Sequence, residues 1–131
     1  MRVCSFSKAL ILAPGFDWVL SIVDPGVVVP PLSDLPGHHL ILRFRDEEED
    51  PFLVKEEIQK ALDWGRGIPP GDSILVHCHA GVSRSPALAT LLLIQQRWEL
   101  GGALRYLHEI GDRTPIPNPL VLEIGLKLLV S

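Results

Sequence analysis

The segment from Ile74 to Trp98 constrains the fold more than any other. Ile74-Leu75-Val76 is a short branched apolar run. Ten residues follow, His77-Cys78-His79-Ala80-Gly81-Val82-Ser83-Arg84-Ser85-Pro86, and the last of them opens a strongly apolar stretch to Trp98. The first run reads as a buried strand, and the last stretch as a helix with proline in its first turn. A loop that leaves a buried strand and enters a helix sits where α/β sheets bind their ligands, just past the strand's carboxyl end.

The rest of the chain fits that setting. Branched apolar runs at Val3 to Phe6, Trp18 to Val23 and Leu40 to Phe44 read as further buried strands. Phe52 to Trp64, Ala103 to Ile110 and Leu120 to Val130 have helical spacing, and Asp50-Pro51 is a helix start. Pro25 to Pro36 reads as a loop. The expectation is one domain over residues 1–131, an α/β fold with a mainly parallel sheet of four to five strands flanked by helices. Trp18, Trp64 and Trp98 lie in apolar patterns and are expected in the core.

The loop carries chemistry. Backbone N–H groups converging at a helix N-terminus form a nest for a tetrahedral oxyanion, and such a nest also stabilises a thiolate. Cys78 is therefore a candidate nucleophile, and His79, Ala80, Gly81, Val82 and Ser83 would supply the nest. Arg84 adds a planar fork able to hold two oxygens of a phosphate. Gly81 lets the backbone turn without a Cβ in the way.

The string His77-Cys78-x5-Arg84-Ser85 resembles the signature loop of the protein tyrosine phosphatase superfamily. With Ala80-Gly81 and Ser83-Arg84-Ser85 it is most similar to the dual-specificity branch, and the chain overall to short bacterial phosphatase-like proteins. Arg113-Thr114-Pro115-Ile116-Pro117-Asn118 before an apolar helix resembles the segment preceding the last helix in that superfamily. The likeness runs from about Leu40 to the C-terminus, and the first 37 residues carry no diagnostic motif.

The resemblance implies that Cys78 attacks phosphorus, that Arg84 and the loop amides hold the equatorial oxygens, and that Ser85 assists departure of the thiolate. It implies that His77 orders the loop and that Asn118 supports the site. Asp46 lies 32 residues before Cys78, a separation typical of the branch's general acid. It belongs to a run of five carboxylates, Asp46 to Asp50, which a solvated loop would also explain, and Asp50 is the second candidate. The expected activity is that of a protein tyrosine or dual-specificity phosphatase. Its substrate would be a phosphorylated protein or a small phosphomonoester, with no cofactor and no metal. The loop has neither lysine nor a second arginine, and lacks the asparagine-arginine-threonine of RNA-directed relatives.

Two other readings remain open: a pseudophosphatase that binds phosphoproteins without turning them over, and a rhodanese-like sulfur transferase. A metal site at His77, His79, His38 and His39 has little support, because zinc-type ligand spacings are absent. Net charge −4 disfavours nucleic acid and anionic membranes as partners, and no apolar run reaches the roughly 18 residues that cross a bilayer. Ser5, Ser7 and Lys8 interrupt any signal-peptide pattern after Arg2, so the expected location is the cytoplasm, and the expected state a monomer. Cys4 reads as a strand residue.

Overall fold

The structure, a computed structural model, describes residues 1–130. In chain order the elements are β1 (Arg2–Cys4), α1 (Phe6–Leu12), a 3-10 turn (Ala13–Gly15), β2 (Trp18–Val23), β3 (His39–Arg43), α2 (Pro51–Arg66), β4 (Ile74–His77), α3 (Arg84–Gln95), α4 (Leu100–Ile110) and α5 (Pro119–Val130). The four strands form one parallel sheet in the order β1-β4-β2-β3, so the strand that delivers the loop is flanked on both sides.

Alternation along the strands sorts side chains between two cores. Val3, Leu20, Ile22, Leu42, Ile74 and Val76 face a large core with α2, α3 and α5, whereas Cys4, Val19 and Leu75 face a smaller one with Ala9 and Ala13. Helix α3 is buried from Arg84 through Leu93 because it lies against the sheet and is covered by α2, α4 and α5. Each fully buried leucine in it contributes roughly 1.5–3 kcal/mol of transfer free energy.

Helix α2 begins where the sequence places it. The Asp50 carboxylate accepts from the Phe52 and Leu53 N–H groups at 3.0 and 3.3 Å, with Pro51 next in line. Two expectations are corrected. The first strand ends at Cys4 rather than Phe6, because the Ser5 hydroxyl accepts the Lys8 N–H and caps α1. Trp98 is not a core residue: it is 40% exposed and stacks on Tyr106, whereas Trp18 and Trp64 are half-buried against the large core. No helix among the described residues is long and apolar enough to cross a membrane.

Candidate active site

The loop from β4 to α3 is pinned from three sides. From the α1 end, the Phe6 N–H donates to the His79 carbonyl at 3.0 Å. Gly81 turns the loop at φ +76°, and a Cβ there would fall 2.6 Å from the Cys4 carbonyl carbon, so backbone approaches backbone where only glycine fits. From the segment before α5, the Ile116 and Asn118 N–H groups donate to the Val82 and Ser83 carbonyls at 2.8 and 3.1 Å.

Within this frame Cys78 is buried, only 3% exposed. Its Sγ accepts the Gly81 N–H at 3.3 Å and lies 3.1 Å from Ser85 Oγ. His79 is exposed, and Ala80, Val82 and Ser83 are half-buried around the loop. Arg84 is buried, and its Nη1 donates to the Phe44 carbonyl at 2.6 Å and to Asp24 Oδ1 at 2.8 Å. Nε and Nη2 have no partner among the described residues, which leaves that edge of the fork for a ligand.

Asp46 reaches this loop from the end of β3. Its Oδ1 accepts Ser83 Oγ–H at 2.6 Å and Asn118 Nδ2–H at 2.9 Å, and its carbonyl accepts from the same amide at 2.7 Å. Asn118 also caps α5, its Oδ1 accepting the Val121 N–H at 3.1 Å. Asp50 is not brought to the loop, because its carboxylate is engaged as the α2 cap.

His77 is fully buried. Burial pushes its pKa down to about 4; the hydrogen bond to the Cys78 carbonyl opposes that shift and the nearby His39 adds to it. Its Nδ1 lies 3.2 Å from the Cys78 carbonyl and its Nε2 2.6 Å from Ser21 Oγ. His38 stacks on Trp18 at 3.6 Å, and His39 contacts the same Ser21 hydroxyl as His77. Cys4 is a buried free thiol, pushed up to about 11 chiefly by burial and then by Asp112. The sequence reading missed Asp24 and Ser21, and weighed His39 only as a metal ligand. Asp24 had a signal, since it stands immediately past the carboxyl end of β2.

A flanked parallel sheet, a Cys-x5-Arg loop at the carboxyl end of β4 and a proline-asparagine segment docked on that loop define the architecture: the fold is the one seen in solved protein tyrosine and dual-specificity phosphatases. In particular, the chain is similar to three solved phosphatase structures. They are PTP-2 of Cydia pomonella (TM-score 0.68, 20% identity, 93% of this chain and 81% of that one), human DUSP28 (0.66, 21%, 98% and 90%) and Tk-PTP in the active form (0.65, 21%, 98% and 87%). No family model and no curated protein matches the chain. At these identities the likeness carries the fold, and the chemistry rests on the side chains.

Proposed function

We propose that the chain is a phosphomonoester hydrolase acting through a cysteinyl-phosphate, on phosphotyrosine and also on phosphoserine and phosphothreonine of proteins. The observation that carries this reading is the setting of Cys78: a sulfur that accepts the Gly81 N–H and lies beside Ser85 Oγ, in a loop whose Arg84 is already fixed by Asp24 and the Phe44 carbonyl.

The thiolate attacks phosphorus and the P–O bond to the leaving group breaks. The free edge of Arg84 and the loop amides hold the three equatorial oxygens, in positions that cost no reorganisation during the step. Asp46 gives its proton to the departing oxygen. Ser83 and Asn118 both occupy Oδ1, so the transferable proton belongs on Oδ2. Water then attacks phosphorus, Asp46 takes its proton, and the S–P bond breaks as Ser85 donates to the returning sulfur. The two free thiols suit a reducing compartment, in keeping with a cytoplasmic enzyme.

The test is hydrolysis of an aryl phosphate with chelator present, with acid quench to trap the phosphoenzyme. Labelled phosphate on Cys78 supports the reading. Phosphopeptide binding with no turnover would instead identify a binding module.

A further inference from the structure

A chain of hydrogen bonds crosses the sheet beneath the loop. The Leu32 N–H donates to His39 Nδ1 at 3.3 Å. His39 Nε2 lies 2.8 Å from Ser21 Oγ, and Ser21 Oγ lies 2.6 Å from His77 Nε2. His77 Nδ1 lies 3.2 Å from the Cys78 carbonyl. Register explains the line. Ser21 pairs directly with His77, while His39 pairs with Val19, two residues before Ser21 on the same face.

The two ends fix every proton between them. A carbonyl only accepts, so His77 Nδ1 carries a hydrogen. An amide N–H only donates, so His39 Nδ1 carries none. A neutral His39 therefore has its hydrogen on Nε2 and gives it to Ser21. The Ser21 hydroxyl has one hydrogen, which goes to His77 Nε2. A single arrangement satisfies all four bonds with both rings neutral, and burial favours the neutral form of each. An added proton on His39 Nδ1 would face the Leu32 N–H, and one on His77 Nε2 would displace the Ser21 hydrogen from its acceptor.

We propose that His39 is a positioning residue for the nucleophile loop: as the donor to Ser21 it locks His77 in the Nδ1–H tautomer that holds the Cys78 carbonyl, and so ties the proline-rich segment at Leu32 to the nucleophile. Only the kinetic consequence rests on the phosphatase reading, because the tautomers are properties of the folded chain.

The test combines 15N-imidazole NMR of the full chain at neutral pH with kinetics on an aryl phosphate. The expected spectrum has His77 protonated at Nδ1 and His39 at Nε2. The opposite tautomer at either ring overturns the proposal, whatever the activity. His39→Phe keeps a flat ring and removes both polar atoms. It should lower kcat about tenfold, the scale of one internal hydrogen bond, with KM within about twofold, and mix the His77 tautomers. His39→Gln offers a donor and an acceptor at similar spacing and should restore kcat to within about threefold. Wild-type kcat and an unchanged His77 spectrum in His39→Phe would overturn the positioning role. Should that variant not fold, the wild-type spectrum and the Gln variant still decide. A wild-type chain with the expected tautomers but no turnover would sink the phosphatase reading alone.

Discussion

Asp24 holds Arg84 by one corner of the guanidinium, Oδ1 to Nη1 at 2.8 Å, with the arginine side chain 6% exposed and the aspartate 51%. The pair spans 60 residues of chain and joins the end of β2 to the start of α3. Its half-exposed member is screened by water, so the pair adds little to global stability. Its effect is to orient the fork.

Arg84→Lys keeps the charge and loses the fork, and should lower kcat/KM by about 10²-fold or more. Asp24→Ala should cost less, about tenfold in kcat/KM, since the Phe44 carbonyl still holds Nη1. Its melting temperature should stay close to that of the wild type. Steady-state kinetics and thermal melts check both, and a wild-type kcat/KM in Asp24→Ala would make the ion pair incidental.

Cys78→Ser should abolish turnover while the folded protein still binds vanadate or phosphate, because the loop amides and Arg84 do not need the sulfur. Wild-type activity should persist in chelator and be blocked by vanadate. Calorimetry and an aryl phosphate assay read these outcomes. Activity lost in chelator and restored by a divalent ion would replace this chemistry with a metal mechanism.

Asp46→Asn should slow hydrolysis of a phosphotyrosine peptide about 10²-fold, the scale of general acid catalysis, and affect a highly activated aryl phosphate far less. Asp50→Asn should do neither. Asparagine caps a helix as well as aspartate, so the Phe52 and Leu53 N–H groups keep their acceptor. The comparison requires only the two variants and two substrates of different leaving-group pKa.

His77 links stability to pH. Its folded pKa of about 4 lies below the ordinary imidazole value of 6.5, so the unfolded chain takes up this proton first. Its contribution is complete above pH 6.5 and is lost as pH falls toward 4, by up to about 3 kcal/mol across that window. His77→Gln, which cannot titrate, should show a flatter dependence. Urea unfolding midpoints of both proteins at several pH values between 7 and 4 measure the difference, and parallel profiles would refute it.

Neighbouring residues alone encode much of the segment that carries the site. The loop from His77 to Ser85 was legible because a branched strand, a glycine turn and a proline-started helix are each signalled by neighbouring residues. The β2 strand over Trp18–Val23 and the start of α2 at Asp50-Pro51 were legible for the same reason. Asp46 ranked ahead of Asp50 by spacing alone, and the structure adds that Ser83 and Asn118 hold its carboxylate beside the loop while Asp50 caps a helix. Tertiary structure decided the rest. Phe6 left the first strand because Ser5 caps α1 and the Phe6 N–H finds the His79 carbonyl, 73 residues away in the chain. Trp98 left the core because α3 ends at Gln95 and its ring stacks on Tyr106 instead. Asp24 meets Arg84 and Ser21 meets His77 because β4 inserts between β1 and β2, and Ser21 meets His39 because β3 pairs on the other side of β2. Strand order is a choice among long-range pairings, and no local propensity or periodicity encodes it.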